Sequence, residues 1–287
     1  MEVSDRRVDV LIVNYLTPDL AATAAAAACD AAARVLIWDN SGDVALPGGA
    51  EVFGDGRNLF FAAGNNRLYA MGDAPYVLLL NPDVLLEVGT LPGLVDHLAL
   101  HPEVWGVAPR LLNPDGSTQR YLRQLPSARA LLADRIPLLR WLFRGEYRRY
   151  ACLDVDHDRD GKLEQPPAAA LLLRRADVDA AGGLFDESYP LFFNDVDLAR
   201  RLSSNGLCAY RADLTATHAG GASVRRAGRL GADIGRMYDD ALVCYAKRHL
   251  RGAAVVRAAT AVRRWIEHRR QPWWQQPASD QASGQRS

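Results

Sequence analysis

Short apolar runs closed by polar turns alternate with helix-forming stretches through the first 110 or so residues, and this alternation constrains the fold most. Residues 8–14 (VDVLIVN) form a nearly continuous apolar run, as expected of a strand buried on both faces. Thr17-Pro18-Asp19 then opens a helix, with Thr17 as N-cap and Pro18 at the first helical position, and the Ala-rich residues 20–34 continue it. Residues 34–38 (RVLIW) are a second strand ending at the turn Asp39-Asn40-Ser41-Gly42-Asp43, and residues 51–53 a short third. A helix over 65–71 leads to the strand 76–80 (YVLLL), which runs into Asn81-Pro82-Asp83; a helix over 91–100 and a strand over 104–109 follow. Such spacing predicts an α/β fold, a Rossmann-like, mostly parallel sheet flanked by helices. Ligands in such sheets bind beyond the carboxyl ends of the strands. Asn14-Tyr15, Asp39-Asn40 and Asn81-Pro82-Asp83 all fall there, which predicts one shared site.

The second half is less regular. Residues 168–174 (AAALLLR) read as a strand, 182–187 (GGLFDE) as a loop, 209–212 as a short strand and 237–267 as one basic helix. A helix is expected over 194–203, with Leu198 and Leu202 facing the core, Asn194 as N-cap and Asp197 completing a capping pair. Asp195 has no part in that cap and lies about 200° around the helix from Asp197. The expected organisation is a main domain over 1–240, a basic helical extension over 241–275 and a disordered tail over 276–287.

Charge sharpens the picture. Lys+Arg and Asp+Glu are both 34, giving a net charge of +0, yet residues 120–149 carry +6 and residues 241–275 carry +7. The rest of the chain is therefore acidic, and the asymmetry points to an anionic partner. With 49% hydrophobic residues the chain is not a disordered one. It has no apolar run long enough for a membrane span, and residues 8–13 are too short for a signal-peptide core, so a cytoplasmic chain is expected. Four scattered cysteines fit reduced thiols. There is no phosphate-binding GxxxxGK[ST], no GxGxxG after a strand and no GxSxG. The basic stretches lack a nucleic-acid-binding motif, so no nucleic-acid partner is expected. Asp156, Asp158, Asp160 and Gly161 open like a calcium loop, but Pro167 stands where the bidentate Glu belongs.

Three polar groups carry chemical promise. Asp83, at the mouth of a strand, can hold a hard divalent cation against a diphosphate. Asp195, a spare carboxylate at a helix start, can serve as general base. His218, followed by paired glycines, suits a ligand on a loop.

Taken in order, several strings resemble the family 2 glycosyltransferases, in particular their bacterial rhamnosyltransferase-like branch. They are residues 10–15 (VLIVNY), 38–41 (WDNS), 58–66 (NLFFAAGNN), 79–84 (LLNPDV), 173–175 (LRR), 183–187 (GLFDE), 194–198 (NDVDL) and 218–223 (HAGGAS). The resemblance implies a GT-A fold and inverting transfer of a sugar from a nucleoside-diphosphate donor, dTDP- or UDP-linked, with rhamnose favoured by the branch. Asn14, Tyr15 and Asp39 would line the base and ribose pocket, Asn58, Asn65 and Asn66 the loop near the diphosphate and sugar, and Asn81 would also bind the donor. Asp83, with His218, would hold Mg2+ or Mn2+, and Asp195 would be the base. The chain departs from that pattern in three places. Asn194 stands where Glu is usual, Asn81-Pro82-Asp83 offers one carboxylate, and Pro167-Ala168 replaces Gly-Ala.

Two other readings stay open: a non-catalytic relative that binds a nucleotide sugar, and a nucleotidyltransferase, disfavoured because no GxGTR-like loop follows the first strand. Arg mixed with Trp141, Phe143, Trp265, Trp273 and Trp274 is the composition of a segment lying on an anionic membrane. A glycan or lipid-linked acceptor and peripheral attachment to the inner face of the plasma membrane are therefore expected.

Overall fold

The computed structural model describes residues 5–29, 32–45, 49–220 and 231–270. Among the described residues nine strands form one sheet: β1 Val8–Asn14, β2 Ala33–Asp39, β3 Ala50–Phe53, β4 Tyr76–Leu80, β5 Val84–Leu86, β6 Val104–Leu112, β7 Gly161–Leu163, β8 Ala170–Arg174 and β9 Leu207–His218. Their order is β3-β2-β1-β4-β8-β6-β9-β5, with β7 also paired to β9. β3, β2, β1 and β4 are parallel; β8 enters antiparallel between β4 and β6, and β6 and β9 run with the first four. β5 and β7 run against β9, so the parallel direction still dominates.

The helices are α1 Pro18–Ala28, α2 Phe60–Met71, α3 Thr90–Leu100, α4 Ala128–Arg135, α5 Leu139–Leu142, α6 Arg144–Tyr150, α7 Arg175–Ala180, α8 Asn194–Leu202, α9 Gly231–His249 and α10 Ala253–Arg270. Strand pleating sorts the core into two layers. Val10 and Ile12 of β1 join Ala21, Ala24 and Leu94 on the face covered by α1 and α3. Leu11 between them joins Ala62 and Leu68 of α2, Leu198 and Leu202 of α8, and Leu242 and Tyr245 of α9 on the other. Asp9 is the one carboxylate inside β1, and it is tied to Arg175 at 2.7 Å and to the Ala74 amide at 2.9 Å. A buried charge is tolerated only when paired and hydrogen-bonded.

Several sequence expectations need correction. The first helix stops at Ala28 rather than running to residue 34. Thr17 holds the N-cap position of α1 as expected, but its hydroxyl donates to Asn14 Oδ1 (2.9 Å) rather than accepting from the first turn. Asn194 is not the cap of α8: Phe193, left-handed at φ 65°, takes that place and Asn194 is already helical. Asp197 is drawn instead to Arg201 at 2.9 Å and His249 at 2.9 Å. The expected single basic helix is two, separated at Gly252, whose φ of 92° suits a residue without Cβ.

The C-terminal helices are packed on the body. Ala241, Leu242, Tyr245, Ala246 and Val256 are buried in the main core. The buried Asp239 carboxylate receives Arg135 of α4 at 2.6 Å and Arg263 and Arg264 of α10. Burial alone would push this carboxyl up; the three guanidinium groups hold it below its ordinary value. Much of the positive charge in the two basic segments is thus matched internally. The expected tail, Trp273, Trp274 and residues 221–223 lie outside the described residues.

Candidate functional site

At the carboxyl ends of β1 and β2 a polar network centres on the buried Asn14 and Asp39. Asn14 Nδ2 donates to Asp39 Oδ1 (2.9 Å), Ser41 Oγ (3.1 Å) and Asp43 Oδ1 (3.2 Å). Its Oδ1 accepts from the Thr17 amide and hydroxyl. Burial alone would raise the Asp39 carboxyl, but the Val44 amide, Asn14 and Ser41 outweigh it and leave it below the usual carboxylate range. Gly54 sits at φ 115° against Asp39; a Cβ there would fall 2.5 Å from the Asp39 carbonyl oxygen. Tyr15 is half-buried beside this network. Of the four non-glycine residues with positive φ among the described residues, Leu16 and Phe193 border strings singled out in the sequence and Phe60 lies within one. Strained backbone of this kind clusters at functional sites.

The Asn-Pro-Asp turn lies at the end of β4. β5 then pairs with β9 so that Val84 faces His218, placing His218 Nε2 3.5 Å from Asp83 Oδ1. Gln119 sets the ring. Its Nε2 donates to Asn113 Oδ1 (3.0 Å) and to the His218 carbonyl (3.0 Å), which turns its Oε1 toward His218 Nδ1 at 2.8 Å. Nδ1 is thereby set as the donor to Gln119, which leaves Nε2 directed at the Asp83 carboxylate. Two such acceptors fit a shared divalent cation, and orienting a ligating imidazole through its other nitrogen is the usual outer arrangement of metal sites. No group of three or more His, Cys, Asp or Glu side chains suited to a metal occurs among the described residues. Two protein ligands with phosphate oxygens and water would suit Mg2+ or Mn2+.

A cavity of about 620 Å³ joins this corner to Asp195. Asn81 and His218 line one part of it; Asp195, Gln165, Tyr150 and Tyr238 line another. Asp195 Oδ1 accepts from the Val196 amide at 2.8 Å, and Gln165 Nε2 approaches Oδ2 at 3.4 Å. Burial pushes its carboxyl up to about 6, against the lowering pull of the Val196 and Ala168 amides. No cation pairs with it among the described residues, in contrast to Asp197, whose partners lie toward the core. Asn194, buried beneath, accepts from the Asp195 amide (2.8 Å) and donates to the Tyr189 carbonyl (3.3 Å).

The structure thus brings Asn81, His218 and Asp195 into one cavity, with Asp83 beside His218. Asn14 and Asp39 form the separate network at the β1 and β2 ends. The other Asn residues have structural bonds. Asn58 accepts from the Phe60 amide (2.8 Å) at the start of α2, and Asn65 donates to the Phe61 carbonyl (2.9 Å) one turn back. Asn66 clamps Phe185, donating to its carbonyl and accepting from its amide. Sequence reading missed Gln119, Gln165, Arg120 and Arg123.

The chain superposes on GalNAc-T7, crystallised with UDP, GalNAc and Mn2+, with a TM-score of 0.53 over 76% of this chain and 44% of that one, at 12% identity. It also superposes on residues 1–349 of S. aureus TarS, with a TM-score of 0.50 over 84% of this chain and 72% of that one, again at 12% identity. The fold is that of the GT-A glycosyltransferases. In sequence the chain is 31% identical, over 167 residues, to N-acetylglucosaminyl-diphospho-decaprenol L-rhamnosyltransferase of Mycobacterium tuberculosis, in strains CDC 1551 / Oshkosh and ATCC 25618 / H37Rv alike. That match takes in 53% of this chain and 52% of each relative, so the chain spans about half the length of the curated relatives it matches. No protein-family model matches it. The fold is thus shared with GT-A glycosyltransferases, and about half of the chain is similar in sequence to a rhamnosyltransferase.

Proposed function

We propose that this protein transfers a sugar from a nucleoside-diphosphate donor to a hydroxyl of a lipid-linked glycan acceptor, with inversion at the anomeric carbon. The observation that carries the reading is Asp195: a carboxylate with no cation partner among the described residues, on the wall of a cavity that also holds His218, with its carboxyl raised to about 6. A base poised just below neutral pH is ionised at working pH yet basic enough to take a proton in the transition state. Asp195 Oδ2 would accept the proton of the acceptor hydroxyl as its oxygen attacks the anomeric carbon. The C–O bond to the diphosphate breaks on the opposite face, and one displacement inverts the centre.

Asn14, Asp39 and Tyr15 would seat the nucleoside, and Asn81 the sugar and diphosphate. Asp83 and His218 would hold Mg2+ or Mn2+, which supplies Lewis-acid stabilisation of the departing diphosphate. The mycobacterial relative's name favours rhamnose and an acceptor on decaprenyl diphosphate; a dTDP donor is favoured by the resemblance to the rhamnosyltransferase-like branch. The experiment is transfer by the full chain, with dTDP-rhamnose and UDP-sugars offered beside a prenyl-diphosphate-linked N-acetylglucosamine. Transfer by wild type and its loss in Asp195→Asn, with nucleotide affinity kept, supports the reading. Equal turnover in both would sink the base.

Surface chemistry favours work at a membrane face. Among the described residues no helix is long and apolar enough to cross a membrane. Yet Leu138, Trp141 and Leu142 around α5 are exposed, as are Val255, Val262 and Trp265 on the outer side of α10. Indole and aliphatic side chains beside arginines suit an anionic interface. Co-sedimentation with anionic vesicles that is lost in Trp141→Ala with Trp265→Ala would bear this out; unchanged sedimentation would exclude these faces.

A further inference from the structure

We infer that Arg120 and Arg123 form an anion subsite in the same cavity, which seats a phosphate group of the acceptor beside the catalytic base. The inference rests on reading Asp195 as that base, and its residues belong to neither the metal corner nor the nucleoside network.

The argument begins with the charge of residues 120–149. Most of its arginines have fixed employment: Arg129 pairs with Glu146, Arg135 with Asp239, Arg148 with Asp154 and Arg149 with Glu164. Arg140 lies over the Tyr147 ring and donates to main-chain carbonyls. Among the described residues Arg120 and Arg123 pair with no carboxylate, and both line the 620 Å³ cavity. Arg120 is exposed. The Arg123 guanidinium lies 5.9 Å from the Tyr150 ring centroid and donates from Nη1 to the Leu122 carbonyl, using one of its five N–H donors.

Their position is set by backbone. Arg123 bridges antiparallel to Gln165, and the Gln165 side chain reaches Asp195. The buried Tyr150 phenol is within electrostatic reach of both Arg123 and Asp195. A group held at Arg123 is therefore a neighbour of a hydroxyl presented to Asp195. Unpaired guanidinium groups at a cavity wall recognise phosphate through forked, charge-assisted hydrogen bonds. A neutral acceptor would leave both without use, whereas an acceptor whose sugar is carried on a diphosphate would engage them.

The test uses the full chain and inorganic pyrophosphate, titrated by calorimetry in EDTA so that the Asp83–His218 corner holds no metal. Wild type is expected to bind pyrophosphate, and Arg120→Gln and Arg123→Gln each to weaken it about tenfold or more. UDP and dTDP binding with Mn2+ should stay within about twofold. Arg120 is exposed, so its variant tests the subsite even should Arg123→Gln fail to fold. Three results overturn the proposal: no pyrophosphate binding by wild type, unchanged binding by the variants, or loss of Mn2+-dependent nucleotide binding in the variants, which assigns the arginines to the donor. Pyrophosphate binding as expected in a protein that transfers no sugar would sink the transferase reading and leave the subsite standing.

Discussion

Asp195→Asn removes a charge from a cavity wall that solvates it poorly, so the variant should gain stability while losing chemistry. Burial raises the Asp195 carboxyl from an ordinary 3.8 to about 6. The folded protein therefore binds more protons than the unfolded chain between these values, and stability falls as pH rises through that window. The penalty is complete above about pH 6 and absent below about pH 4. It corresponds to about 3 kcal/mol. Asn keeps an oxygen for the Val196 amide but cannot accept from Gln165 at its other terminus, a loss of about 1 kcal/mol. A net gain of about 2 kcal/mol at pH 7.5 should raise Tm by about 4–6 °C. Near pH 4.5 the gain should shrink almost to zero. Differential scanning calorimetry of wild type and variant at the two pH values measures both. A lower Tm at pH 7.5, or an equal gain at pH 4.5, would refute the account of Asp195 as an ionised group held at the expense of stability.

Three further outcomes follow from other parts of the structure. Asp239→Asn removes the carboxylate that Arg135, Arg263 and Arg264 share and should cost about 3–5 kcal/mol in urea unfolding; a loss below about 1 kcal/mol would mean that the carboxylate charge does little to hold the C-terminal helices. Gln119→Leu frees the His218 ring and should weaken Mn2+ binding about tenfold or more, read by electron paramagnetic resonance, while Mn2+-free nucleotide binding is unchanged. Asn194→Glu sets a second carboxylate beside Asp195, and should move the acid limb of the transfer rate to higher pH; an unmoved limb would show that the two groups do not interact.

Local pattern carried the early strands well. β1 and β4 appear with the expected bounds because both faces are buried and their residues are almost all aliphatic. Leu198 and Leu202 point inward as expected, since helical spacing alone sets their face. Non-local pairing was less legible. β5 has only three residues, with Leu85 exposed between Val84 and Leu86, and it exists because it pairs with β9. β9 extends to His218 through polar Asp213, Thr215 and Thr217, which no apolar pattern marks. The same holds for the site. Asp83, Asp195 and His218 could be named from turns and motif strings, but Gln119 and Gln165 act by pairing across long separations. The two basic segments looked alike in sequence. In three dimensions most of the arginines of residues 120–149 are matched by carboxylates or carbonyls, and Arg120 and Arg123 stand out by lining the cavity.

The account turns on Asp195 as the base of a sugar transfer, and the pH dependence of kcat/KM for transfer by the full chain tests that directly. The expected profile has an acid limb with a midpoint of about 6, the activity falling as pH drops and Asp195 takes up a proton. A limb near pH 4, or a rate flat from pH 5 to 8, would contradict it.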